Sequence, residues 1–357
     1  LKVGIIGLPQ VGKTTIFSLL TGLEVEPYST AHQKGVAKVF DKRVKILSEM
    51  YQPKKTIYAT LEFYDTPPLI PNDQKSRSQV FNMVQNADAL LLVLRAFKND
   101  SVPFPEKGET AYKQLKITLD EFIFRDLEVV TNRIEKLENA KRKLENREEN
   151  ELKVLKQMRE FLENEDFLSR HREDFSEDQL KLVSSYSLVT LKPVVIAVNL
   201  DENQFVEKDY ESKNDVSKLV NNYNFAYIEL CGLMEKEIQE LPEEEREEFL
   251  KDLGITESGI ERLSKIMYSQ LGLISFFTVG KDEVRAWTLK KGSTAVEAAG
   301  VIHSDLARGF IKAEIMKYDD LVSLGSEKEV KEKGLMKLVG KEHVIEDGDI
   351  ITIRFNV

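Results

Sequence analysis

Short runs of apolar residues recur along the first two thirds of the chain. Lys2-Val3-Gly4-Ile5-Ile6 reads as a short buried strand, and Ala89 to Leu94 and Val194 to Val198 as strands covered on both faces. Residues 56–64 alternate in part and read as one strand ending at Asp65, and Phe225 to Leu230 is a less regular candidate. Helix-favouring stretches lie between these runs, beginning with Thr14 to Leu20. Short buried strands separated by helices predict an α/β domain with a doubly wound, mostly parallel sheet.

One stretch breaks that alternation. From about Asp120 to Glu165 the chain is charged, and Leu127, Val130, Ile134, Leu137 and Leu144 sit at three-, four- and seven-residue steps. After a polar break at residues 146–150, Leu152, Leu155, Met158 and Leu162 continue the stripe. A narrow apolar seam of this kind predicts an antiparallel helical hairpin, an inserted coiled-coil arm at about 115–185. An arm of about 19 residues spans roughly 28 Å. A further acidic helical stretch, Glu235 to Asp252, reads as a solvated face. From Ile274 the texture turns β-rich, with Gly280, Gly292, Gly340 and Gly348 as punctuation and a final strand at 350–355. The expected domains are therefore 1–273, carrying the hairpin, and a small α+β domain at 274–357.

Composition narrows the classes. The net charge of −10 argues against a broad polyanion-coating surface, and no DNA specificity is expected. From Ile274 onward there are 13 Lys/Arg and 14 Asp/Glu, so the tail has no basic signature. No run of 18 apolar residues exists, so no membrane span is expected, and a single cysteine, Cys231, fits a reducing cytoplasm. With four histidines and no Cys/His spacing, His303 supports no zinc site.

The chemistry begins at Gly7-Leu8-Pro9-Gln10-Val11-Gly12-Lys13-Thr14, which matches G-x-x-x-x-G-K-[ST] between a strand and a helix. Glycines let the backbone close on phosphate oxygens, and the N–H groups of Pro9's neighbours, Gln10, Val11, Gly12, Lys13, Thr14 and Thr15 point at negative charge. Lys13 is expected to reach the β- and γ-phosphates. The Thr14 hydroxyl, with Asp65 at a strand end and Thr30 in the loop after the first helix, is expected to hold Mg²⁺. Asn199-Leu200-Asp201-Glu202 follows a buried strand where GTP-binding proteins carry N-K-x-D. Glu202, or Asp201 one residue out of register, is then the candidate base-reading carboxylate. The longer glutamate disturbs the paired hydrogen bonds that guanine needs, which favours ATP or relaxed choice. Cys231 and Gly232 fall in the loop that covers the base's other edge.

These motifs resemble the Obg-like P-loop NTPases of the YchF type. The resemblance spans nearly the whole chain: residues 7–14, Pro27-Tyr28-Ser29-Thr30 as a first switch, the N-x-x-E loop at 199–202, and the hairpin. Its most specific part is the tail, with Ile274 to Gly280, Glu283 to Thr288, Ala298 to His303, Arg308 to Glu314 and Glu346 to Asp349. That tail is similar to the family's TGS domain. The resemblance implies a cytoplasmic ATPase that also accepts GTP, requires Mg²⁺, and associates with ribosomes or ribosomal RNA through the arm and the tail. It also implies a hydrophobic residue, Leu69, in the catalytic position where other P-loop GTPases place a water-orienting glutamine. The chain departs from the family at Asp65-Thr66-Pro67-Pro68-Leu69, where D-x-A-G-L is usual, at Ala31-His32-Gln33, and at Gln10, where Asn is usual. Pro68 has no N–H to offer a γ-phosphate, so slow turnover is expected. A nucleotide-binding interaction module with little hydrolysis is the alternative.

Overall fold

A computed structural model describes residues 1–25, 33–104 and 108–356. The chain divides into two compact units, one of residues 1–36 with 62–263 and one of residues 37–61 with 264–357.

A six-stranded sheet takes most of its residues from the first unit. Its strands are β1 (Lys2–Ile6), β2 (Lys34–Val39), β4 (Ala59–Asp65), β5 (Ala89–Arg95), β6 (Val194–Asn199) and β7 (Ala226–Leu230), in the order β2-β4-β1-β5-β6-β7. β1 pairs in parallel with β4 and β5, β5 with β6, and β6 with β7. Every residue of β5 and β6 is buried, as their unbroken apolar runs require. The register sets Ile5 beside Asp65, Arg95 beside Asn199 and Asn199 beside Leu230. The carboxyl ends of five strands therefore meet along one edge, where open α/β sheets bind ligands. Helices α1 (Lys13–Thr21) and α3 (Gln74–Val84) lie in this unit, while α2 (Lys42–Tyr51) belongs to the other.

The hairpin is present, with different ends. Helix α4 spans Ala111–Glu138 and α5 spans Asn146–Glu163. Val130, Ile134 and Leu137 of α4 and Val154, Leu155, Met158 and Leu162 of α5 are buried. Each such side chain contributes about 1.5–3 kcal/mol relative to exposure. The polar run expected to break the hairpin instead starts α5. Glu145 and Glu148 form a capping box, and Arg142 reaches the Glu148 carboxylate at 2.6 and 2.8 Å. Leu144 therefore lies in the turn, outside the stripe. The seam also holds a polar contact that apolar spacing does not reveal: Arg133 binds buried Glu151 through two bonds of 2.8 and 3.1 Å, and the Tyr186 hydroxyl donates to the same carboxylate. The start of α4 is packed inside the unit, with Phe122 against Phe81 and Phe167.

Beyond the hairpin come α6 (Glu177–Val183), α7 (Glu202–Glu207), α8 (Lys213–Tyr223), α9 (Gly232–Glu240), α10 (Glu243–Asp252) and α11 (Gly259–Gln270). Residues 243–245 are exposed, but Glu235 of the same acidic stretch is buried. Its carboxylate accepts from the Gly259 and Ile260 amides at 2.7 and 3.2 Å, satisfying the opening N–H groups of α11.

The second unit holds the other sheet, of order β11-β10-β12-β8-β9-β3. Its strands are β3 (Lys55–Ile57), β8 (Leu273–Thr278), β9 (Glu283–Lys290), β10 (Phe310–Lys317), β11 (Lys337–Val339) and β12 (Asp349–Phe355). Helix α12 (Ala295–Ile302) packs Ala295, Ala298 and Ala299 against Ile274, Phe276, Leu289 and Ile315. Trp287 joins that core and donates its indole N–H to Thr278 at 2.9 Å. The strand read over 56–64 is two strands parted at Tyr58. β3 pairs in parallel with β9, while the end of β4 pairs with β1. Alternation persists through the switch point, so the pattern of side chains carries no mark of it. His303 caps the helix 304–308 by accepting from the Asp305 amide at 3.2 Å.

Candidate functional site

The phosphate loop follows β1 directly. Gly7 is required by crowding: a Cβ there would lie 2.6 Å from the Val93 carbonyl oxygen. Gly12 is required twice over. Its φ is +94°, and a Cβ would lie 2.4 Å from Asn199 Nδ2. Gln10 also adopts a left-handed backbone, with φ +61°, which asparagine enters more readily than glutamine. Pro9 and Val11 complete the loop, Val11 with its side chain buried, and Thr15 is exposed on the first turn of α1.

Lys13 is 7% exposed, and its ammonium donates to the carbonyls of Gly7 at 3.2 Å and Leu8 at 3.4 Å. The side chain folds back into the very loop that it would leave to meet a phosphate. Burial pulls its pKa down to about 8, partly opposed by the Asp65 carboxylate. The Thr14 hydroxyl donates to Asp65 Oδ2 at 2.8 Å. A hydroxyl and a carboxylate oxygen side by side next to this loop are hard donors that would suit Mg²⁺. Thr30, the third expected metal ligand, and the segment 27–32 lie outside the described residues.

The segment after Asp65 is bound back onto β1. Thr66 donates to the Ile5 carbonyl at 2.6 Å, and the Leu69 amide donates to Gly7 O at 3.0 Å. Pro67 and Pro68 bring no N–H. The Pro68 carbonyl accepts from Ser76 Oγ at 2.9 Å, and Ser76 Oγ in turn accepts from the Ile70 amide at 2.8 Å. The side chain of Leu69 is fully buried.

At the base end, Asn199 is 6% exposed and joins two loops. Its Nδ2 donates to the Val11 carbonyl at 3.2 Å, and its Oδ1 accepts the Gly232 amide at 3.0 Å. Leu200 is buried, with its amide on the Leu230 carbonyl at 2.8 Å. The two carboxylates of the loop have separate fates. Asp201 caps α7, accepting the Gln204 amide at 3.0 Å and the Lys98 amide at 3.3 Å, whereas Glu202 is exposed on the first turn. Cys231 is buried, which pushes its thiol pKa up. It is not an activated nucleophile.

Arg95 and Gln114 carry no mark in the sequence. The Arg95 guanidinium is buried at the end of β5 between Phe97 and Phe104, 4.3 and 4.2 Å from their ring centres. It donates to the carbonyls of Phe97, Val102 and Pro103. A lone arginine after an apolar run gives no sign that it folds inward.

Two family models match the chain. One, described as 50S ribosome-binding GTPase, covers residues 2–133, and the YchF-GTPase C-terminal model, described as a protein of unknown function (DUF933), covers residues 273–356. The chain is 36% identical over 366 residues to "Ribosome-binding ATPase YchF" of Bacillus subtilis (strain 168), covering all of both chains. It is 32% identical over 374 residues to "Obg-like ATPase 1" of Rattus norvegicus, covering all of this chain and 92% of that protein. Among solved structures, the Schizosaccharomyces pombe YchF GTPase aligns with a TM-score of 0.84 and 28% identity, over 99% of this chain and 97% of that one. Among the described residues no helix is long and apolar enough to cross a membrane.

Proposed function

This chain belongs to the family of YchF and Obg-like ATPases, and from that premise we propose that it binds ATP in preference to GTP and hydrolyses it slowly, as a ribosome-associated cytoplasmic factor. The observation that carries the nucleotide reading is the buried Lys13 ammonium inside the Gly7–Thr14 loop, beside the Thr14–Asp65 pair. Amides of the loop bind the phosphate chain. Lys13 leaves the Gly7 and Leu8 carbonyls for the β- and γ-phosphate oxygens, and negative charge there restores its full protonation. Thr14, Asp65 and Thr30 would hold Mg²⁺, which supplies charge neutralisation across the β- and γ-phosphates. Asn199 fixes the distance between the phosphate loop and the base loop, Leu200, Cys231 and Gly232 shape the base's surroundings, and Glu202 presents the carboxylate that faces the base edge.

Slow turnover follows from the segment 65–69, which stands where the family has its second switch. Leu69 stands where a water-orienting glutamine would be, and its buried side chain brings no group to the attacking water. Pro68 cannot donate to the γ-phosphate. The tail from residue 274 as a TGS-type domain is part of this reading and is supported by the C-terminal family match over 273–356, while the compact unit that holds the tail also takes in residues 37–61 and 264–273. Ribosome association is supported by the names of the full-length relatives, and the arm and tail are the proposed contact regions. Affinities for ATP and GTP with Mg²⁺, in the intact protein and in Glu202→Asp, test the base assignment. The substitution is expected to move the ATP:GTP preference toward GTP by about tenfold. An unchanged ratio removes Glu202 from base reading.

A further inference from the structure

Gln114 sits in the first turn of α4 and is fully buried. Its Oε1 accepts the Arg95 amide at 2.7 Å, and its Nε2 donates to the Arg95 carbonyl at 2.9 Å and the Gly108 carbonyl at 2.9 Å. The side-chain amide thus acts as a peptide unit added to the sheet. Its place is set by topology. The Ala96 amide bonds toward β6, so the groups of Arg95 point the other way, toward β1. The pairing of β1 with β5 ends at Ile6 and Leu92, because β1 turns away into the phosphate loop. Gln114 fills the gap left by that departure.

What β5 then holds is the base loop. The Ala96 and Phe97 amides both donate to the Asn199 carbonyl, at 2.9 and 3.1 Å, and Gln204 Nε2 donates to the Ala96 carbonyl at 2.9 Å. We propose that Gln114 is a positioning residue of the nucleotide site, joining the root of the α4–α5 hairpin to the Asn199–Glu202 loop through the end of β5. The inference rests on the nucleotide reading above and adds a residue that touches no nucleotide.

Its effect belongs to the base end, so ATP and inorganic tripolyphosphate separate it from a general loss of structure. Both affinities are measured with Mg²⁺ on the full chain, for the wild type, Gln114→Met and Thr110→Ala. Thr110 caps α4 by accepting the Lys113 amide at 3.2 Å, so its loss loosens the same turn more gently. Gln114→Met is expected to weaken ATP about tenfold, the equivalent of one lost buried hydrogen bond, with tripolyphosphate unchanged within about twofold. Thr110→Ala is expected to weaken ATP about threefold in the same selective way, and it decides the matter if Gln114→Met does not fold. Equal losses for both compounds, or an unchanged ATP affinity in folded variants, overturn the proposal. A wild type that binds neither compound removes the nucleotide reading itself, and this inference with it.

Discussion

The phosphate loop and the second-switch segment leave the carboxyl ends of neighbouring parallel strands, β1 and β4, yet they are built by opposite rules. In the phosphate loop the two glycines are dictated by backbone geometry: Gly7 by the Val93 carbonyl, Gly12 by its positive φ and by Asn199. In the second switch, Pro67 and Pro68 remove two donors, and the Leu69 amide is spent on the Gly7 carbonyl. One loop keeps amides for a ligand; the other uses its bonds to close on its neighbour. On the function proposed above, binding and hydrolysis are separable properties of this site, the first expected to be preserved and the second reduced.

The largest expected effect that tests this contrast is at Gly12. Gly12→Ala must strain a φ of +94° and displace the Asn199 amide, disturbing both loops at once. ATP affinity by calorimetry is expected to fall by at least about a hundredfold, or about 2.7 kcal/mol. A normal affinity would mean that the loop does not wrap phosphate. The middle effect is at Pro68. Pro68→Gly restores an N–H and is expected to raise single-turnover ATP hydrolysis by about tenfold or more, with affinity little changed. A wild-type rate already equal to the variant's would contradict the account of slow turnover. The smallest is at Gln10. Gln10→Asn relieves a left-handed backbone and is expected to add about 0.5 kcal/mol of stability by denaturant unfolding, with binding unaffected.

The same contrast explains what could be read from sequence. The phosphate loop is legible because its glycines are forced by local geometry, and β5 and β6 because burial on both faces leaves no polar position before their last residues, Arg95 and Asn199. The hairpin was legible as a stripe but not in its ends: Asn146 to Asn150 is polar enough to suggest a break, yet Glu145 and Glu148 make it a capped helix start. Gln114, Arg95 and Glu235 were not legible. Each is a polar side chain bonded to backbone groups, 19 residues away for Gln114 on Arg95, 24 for Glu235 on Gly259, and 2 to 8 for the Arg95 guanidinium. Nothing in their local pattern distinguishes them from exposed polar residues. The placement of residues 37–61 was also hidden, because β3 and β4 read as one strand until their partners are known.

The most direct test of the central claim is equilibrium binding of ATP with Mg²⁺ to the intact chain and to Lys13→Ala. Saturable binding is expected for the wild type, with a loss of about a hundredfold in the variant, as the ammonium inside the loop is removed. Equal affinities in the two proteins, or no uptake of ATP by the folded wild type at millimolar concentration, would contradict it.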